Sequence, residues 1–295
     1  MTPSGVLPAG RTDRRFRLER LPPVGALLAG AFLLFLVLAA VEPTLFTNAN
    51  PLGIAPREAF EAPRLRHLFG TDQSGRDIFT RVVHGARQSL LLGVGAVTIS
   101  TSFAIVLGLI GGLGGRLAAR GIAWTLDVLF SFPTLILALL FASHLGNGIG
   151  PLIIATGVGN APGYARMVLG QVVAARNADY VEAARVLGHR PSRIIARHIL
   201  PNALRPLIVA VTMGVGQAIV WSSALSFLGL GAQPPAAEWG TMLSMGRDFV
   251  EQAWWMTFFP GLFIVLTTLS TTIFGRYLQR RIEGRLDERT VSRRR

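Results

Sequence analysis

Six stretches of this chain are apolar over roughly the length of a membrane span, at about 24–41, 88–110, 122–144, 149–172, 205–229 and 254–276. A helix rises about 1.5 Å per residue, so about 20 residues cover the ~30 Å hydrocarbon core of a bilayer. A water-soluble fold has no use for six such blocks. The chain is therefore read as an all-α integral membrane protein with six transmembrane helices, and its mean hydropathy of +0.47 agrees. The fourth stretch is interrupted by Asn160, Pro162, Gly163 and Arg166. Such breaks are tolerated only where protein or a water-filled cavity satisfies the freed backbone groups.

Charge orients these spans. All 29 basic residues are arginine, and 22 of them fall in the tail 1–23, the loop near 111–121, the loop 173–204 with its flanks, which include Arg166 and Arg205, and the tail from Arg276 onward. Cytoplasmic loops carry the excess of Arg and Lys, which predicts N-in/C-in. The run Arg11–Arg20 ahead of the first apolar stretch, with Arg14-Arg15, also has a signal-peptide flavour, but 18 apolar residues exceed the usual signal core. The chain has no lysine, so it cannot contain the GxxxxGK[ST] phosphate loop, and any ATP it depends on must be bound by another chain. It has no cysteine either, which excludes disulfides and thiolate chemistry.

Residues 42–87 are proline-rich and mixed in charge, and read as an external segment. Within it, Gly70-Thr71-Asp72-Gln73-Ser74-Gly75-Arg76-Asp77 sets two glycines around side chains that bond their own backbone. Asp77 and Arg81, four apart, are expected to pair at a helix start. The segment 230–253 is rich in Gly and Pro, and Trp254-Trp255 after it is expected at the outer interface. Residues 88–276 form the expected five-helix core, followed by a basic tail, 277–295.

Between the fourth and fifth stretches, the loop 177–202 reads as helix, turn, helix. Asp179 is placed to cap the first helix with Glu182 reaching back, and Gly188 to stop it in the left-handed conformation. Pro191 suits the first turn of a second helix, which Pro201 is expected to end. A first helix of about nine residues is marginal alone and must be stabilised by docking. Ala183 and Ala184 keep its surface low, while Glu182 and Arg185 offer charge at its edge. This suits insertion into a groove on a partner.

Glu182-Ala183-Ala184, then Gly188, then Leu200-Pro201 resembles the EAA signature of the inner-membrane components of binding-protein-dependent ABC importers. The motif Phe69–Phe79 continuing through Gly85–Leu90, the run Leu225–Pro235 followed by Trp239-Gly240, Ser131-Phe132-Pro133 and Ala253-Trp254-Trp255 narrow the resemblance to peptide/nickel permeases of the C-subunit type. It covers about residues 65–265 and implies a MetI-like transmembrane domain. It further implies that Tyr180, Glu182, Ala183, Ala184, Arg185, Gly188, Leu200 and Pro201 belong to a coupling helix and its loop, seated in a cytoplasmic ATPase. Closure of the ATPases on ATP would tilt the attached spans and alternate access. Implied partners are a homologous second permease, two ATPases that hold ATP and Mg, a solute-binding protein and membrane lipid, at the inner membrane of a bacterium or archaeon. The chain departs from the branch in lacking an acidic stretch after the last span and in carrying His198 where the signature favours isoleucine.

Other readings of the same residues are weaker. A DNA-binding helix-turn-helix has no room between spans about 30 residues apart, so no nucleic acid is expected. Asp72 and Asp77 are read as turn and helix-start residues, since no histidine or third carboxylate stands beside them at ligand-like spacing; no metal site and no catalytic residue are expected. Asp127, about a turn inside the third stretch, has two readings: a functional charge, or an ion pair with Arg116 or Arg120 near the interface. Arg166 is read as snorkelling. Gly93, Gly95, Gly108, Gly112, Gly214 and Gly216 are read as helix-packing positions. A secondary transporter or channel is the rival class, and a nickel importer the rival within the family; the solute itself cannot be read from this chain.

Overall fold

A computed structural model of the chain describes residues 23–292, with side chains through Arg281. Most of the Arg-rich tail 1–23 and the end of the tail 277–295 lie outside the described residues. Everything regular among the described residues is helical, apart from two isolated bridges, Arg64 with His67 and Thr71 with Asp77. The helices are α1 (Val24–Val41), α2 (Ile78–Leu113), α3 (Arg116–Phe130), α4 (Thr134–Leu145), α5 (Ile149–Arg176), α6 (Asp179–Val186), α7 (Pro191–Ile194), α8 (Leu200–Phe227), α9 (Trp239–Gly246) and α10 (Trp255–Ser292).

Length and composition qualify α1, α2, the run 191–227 and α10 as membrane spans. The third apolar stretch is corrected. It is not one straight helix but α3 and α4, meeting at about 90° across Ser131-Phe132-Pro133. Pro133 lacks an N–H and disfavours helical backbone at Phe132, so the helix stops there. The interruptions expected in the fourth stretch, by contrast, do not break it. α5 runs for 28 residues through Pro162. Its polar surroundings are satisfied from neighbouring helices: Ser100 Oγ donates to Gly157 O at 2.6 Å and Ser222 Oγ to Thr156 Oγ1 at 3.2 Å. At about 42 Å α5 is long enough to cross a bilayer, but it falls short of the apolar composition that qualifies the others. Among the described residues four spans therefore qualify, or five with the bent α3–α4 pair taken as one, against the six expected.

Glycine sets the helix spacing. A Cβ on Gly108 or Gly112 of α2 would lie 2.5 Å from Val168 Cγ1 or 2.4 Å from Val172 Cγ1 of α5. One on Gly214 of α8 would lie 1.8 Å from Tyr164 Oη. These are the close helix approaches expected of small residues in membranes. Two apolar clusters cap the bundle at opposite ends. One joins α1, the start of α2, the far half of α8, α9 and α10 around Trp239, Phe263 and Ile219. The other joins the far half of α2 with α3, α5, α6, α7 and the start of α8 around Val168, Val172, Val181 and Leu207. α1 lies on α10 and α2 through Phe32 and Phe35, whose rings meet Phe263.

Candidate functional site

The loop 177–202 is built on the second cluster. Val181 and Ala184, three apart on α6, are buried there with Val172 and Ala175 of α5, Ile194 of α7, and Ala203 and Leu207 of α8. α6 is thus tied down along one face. The cap is corrected: Ala178 is the N-cap and has no side-chain bond, and Asp179 is the first helical residue. Asp179 and Glu182 therefore favour the helix start through its dipole instead of by a capping box. The stop falls where the sequence placed it. Gly188 has φ +75°, its N–H bonds Arg185 O at 3.0 Å, and His189 N–H bonds Ala184 O at 3.1 Å, the paired bonds of a Schellman motif.

The second helix does not end at Pro201, a further correction. α7 passes through a π turn, Ile195–Ile199, directly into α8. In that turn Leu200 N–H bonds Ile195 O, five residues back. Pro201 follows in the first turn of α8, where no N–H is required. Asn202 ties this junction back to α6: its Nδ2 donates to His198 O at 2.7 Å and to Tyr180 Oη at 3.4 Å. Tyr180 and Gly188 from one side, and Leu200 and Pro201 from the other, are therefore parts of a single end of the bundle.

The outward face of α6 carries Glu182, Ala183 and Arg185, all exposed. Ala183 and Ala184, expected to act together, are divided between the two faces. Among the described residues neither Glu182 nor Arg185 makes an ion pair. Val186 is 83% and Leu187 76% exposed, two apolar side chains standing together at the tip of the helix. Sequence reasoning assigned them no role, although they fall off the Val181/Ala184 stripe. An open depression lined by Gly188, His189, Arg190, Ser192 and Arg193 adjoins this tip.

At the other end, the motif 70–77 is a clasp. Asp72 Oδ1 accepts from Ser74 N at 2.8 Å and Arg76 N at 2.9 Å, and Thr71 Oγ1 accepts from Glu61 N at 2.8 Å while donating to Glu58 O. Gly70 and Gly75 hold φ +75° and +74°, and a Cβ on Gly75 would fall 1.8 Å from Ala55 O. Asp77 caps α2 by accepting from Thr80 N at 2.7 Å. The expected Asp77–Arg81 pair is replaced by another. Buried Arg81 faces Asp72 at 3.9 Å and donates to Pro51 O, Pro235 O and Ala236 O at 3.2–3.3 Å. Arg76 lies 3.4 Å from Asp72 as well. His67, ten residues from Asp77 in the chain, stands beside it after all, with Nδ1 2.9 Å from Asp77 Oδ2. Trp255 is buried and donates to Thr71 O at 3.0 Å, whereas Trp254 remains half exposed, so only one of the pair suits a membrane–water boundary.

Glu238 was missed in the sequence. It is fully buried and caps α9 by accepting from Gly240 N and Thr241 N, each at 2.8 Å. Trp239 beside it donates to Val82 O at 2.9 Å. Asp127 also has a different partner from those expected: it pairs with Arg166 across α3 and α5, and not with Arg116 or Arg120.

Residues 104–284 match the family of binding-protein-dependent transport system inner membrane components. A dipeptide transport system permease protein, DppC, of Alkalihalophilus pseudofirmus is 39% identical over 272 residues, covering 92% of this chain and 88% of that one. The di/tripeptide permease DppC of Pseudomonas aeruginosa is 40% identical, covering 79% and 77%, and the probable D,D-dipeptide permease DdpC of Escherichia coli 37%, covering 86% and 85%. Among solved structures, the MetNI methionine ABC transporter superposes with a TM-score of 0.54 at 20% identity, over 70% of this chain and 97% of that chain. An amino acid ABC transporter gives 0.53 at 18%, over 69% and 94%. At those identities the likeness is one of fold, but the family match and the close relatives carry more: the chain belongs to the binding-protein-dependent inner-membrane components, the permease subunits of ABC importers.

Proposed function

We propose that this permease carries di- and oligopeptides across the cytoplasmic membrane of a bacterium, driven by ATP bound with Mg in separate ATPase subunits. The peptide reading is supported by the names of relatives 37–40% identical over most of the chain. Such a family implies ATPase and binding-protein partners. The finer composition proposed is one homologous sister permease, two ATPases and one external peptide-binding protein.

The observation that carries the coupling assignment is the tip of α6. Val186 and Leu187 are apolar and exposed at the end of a helix anchored on its other face by Val181 and Ala184. An apolar tip flanked by Glu182 and Arg185 fits a groove with an apolar floor and charged rims. α6 passes through Gly188 and α7 into α8, so movement of a docked ATPase would be transmitted to a span. Tyr180, Leu200 and Pro201 would stiffen that connection.

Reconstitution of the four-subunit complex with its binding protein tests both parts. The intact complex is expected to import a radiolabelled dipeptide in an ATP-dependent manner. Gly188→Leu, which forces a branched side chain into left-handed backbone, is expected to leave the membrane domain folded while uptake falls at least about tenfold per ATP hydrolysed. Glu182→Ala should act in the same direction. Full uptake by the Gly188→Leu complex would sink the coupling assignment.

A further inference from the structure

The surfaces of the long helices are not alike. Outward residues of α2 include Leu91, Val94, Phe103, Val106 and Ile110, and those of α10 include Val265, Leu269 and Ile273, as expected for helices facing lipid. α5 is mixed: it exposes Ile154 and Val173 towards its two ends, but Gly163, Arg166 and Gly170 on successive turns between them. Arg166 pairs with Asp127 of α3, yet the two side chains stay 50% and 68% exposed, and the guanidinium lies 4.3 Å over the Phe130 ring.

Depth makes this pair informative. Arg166 stands ten residues, about 15 Å, from the Arg176 end of a helix about 42 Å long. Two residues on, Val168 packs against Gly108 of α2, which qualifies as a span, so Arg166 stands beside a membrane-crossing helix and within reach of a hydrocarbon layer about 30 Å thick. Charges exposed to lipid at such depth are strongly disfavoured, so this face meets water or protein. Burial against a protein face would strip water from both ions at a cost of several kcal/mol per ion. A water-filled path would not. Nothing lies within 4 Å of a Cβ built on Gly163 or Gly170, so the surface beside the pair is open.

We propose that Asp127 and Arg166 stand on the aqueous translocation path and take the oppositely charged termini of a passing peptide, Arg166 the carboxylate and Asp127 the ammonium. The second half rests on the peptide reading given above; the first does not. Phe130 holds the guanidinium in place, and the ion pair keeps each charge compensated when no solute is present.

The chain has no cysteine, so single cysteines report without background from it. In the assembled complex in proteoliposomes, Gly163→Cys, Arg166→Cys and Gly170→Cys are expected to react with membrane-impermeant charged methanethiosulfonates, identified on this chain by mass spectrometry. Phe103→Cys and Val106→Cys, facing lipid, are expected not to react. Arg166→Cys should lower dipeptide uptake about tenfold or more, with a cationic ethyltrimethylammonium adduct restoring much of it and an anionic sulfonatoethyl adduct none. If the three α5 cysteines react only after the complex is dissociated, a protein face covers them and the path assignment is overturned. Equal uptake with cationic and anionic adducts overturns the contact with the termini. A wild-type complex that imports no dipeptide refutes the peptide reading, and the labelling pattern still decides the path.

Discussion

At the scale of single residues, the chemistry of this chain is divided between atoms that hold and atoms that meet partners. Asp72 holds. It supplies two backbone N–H groups with an acceptor and is the carboxylate facing Arg76 and Arg81, both buried. Asp72→Ala leaves two buried guanidinium groups without that countercharge, and removing one partner of a buried pair costs about 3–5 kcal/mol. The expected result is a large fall in the thermal unfolding temperature in detergent, or loss of the folded protein from the membrane. Leu187 meets partners. Leu187 is largely exposed, so the purified Leu187→Asp variant should melt within a few degrees of wild type while losing co-purification with the ATPase. The reading of a charged Asp77–Arg81 pair failed at this scale for a simple reason. Helical spacing permits an i,i+4 pair, but Arg81 finds three carbonyls and Asp72 across the clasp, and Asp77 is taken by the helix cap.

Among the elements, α6 is the most dependent on its neighbours. Eight residues form about two turns, too few to persist alone in water, and only Val181 and Ala184 bury their side chains. Ala184→Asp would put a carboxylate into an apolar cluster and detach the helix. Trypsin added to inverted vesicles should then cleave after Arg176 or Arg185 faster than in wild type, with the spans still protected. The sequence located α6 and its Gly188 stop because both follow from local rules. It misjudged Pro201, since a proline in the first turn and a proline after the last look alike until the π turn before it is seen. It also read α3 and α4 as one span: their summed length suits a bilayer, and the right angle at Ser131-Phe132-Pro133 adds nothing to a hydropathy profile.

Across the whole molecule, glycine contacts between α2, α5 and α8 join the two end clusters into one bundle. Gly112→Val should push α2 away from Val172 and lower both thermal stability and uptake, whereas Gly121→Ala, with open space around the Cβ, should change neither measurably. The long-range coupling proposed here needs such a rigid bundle, because α6 sits at one end and the clasp of residues 70–77 at the other.

The apolar blocks, the arginine distribution and the lack of lysine determined by themselves that the chain is a helical membrane protein unable to bind ATP through a phosphate loop. These follow from transfer energies and side-chain chemistry, which depend on composition and order alone. The EAA spacing likewise announced the family. Only the tertiary structure decided that Asp72 serves Arg81, that Glu238 is a buried cap, that Val186 and Leu187 stand outward, and that Asp127 meets Arg166. The physical reason is distance. Asp127 and Arg166 are 39 positions apart in the chain, and no local propensity encodes which of several charged side chains the packing of α3 on α5 will bring within reach.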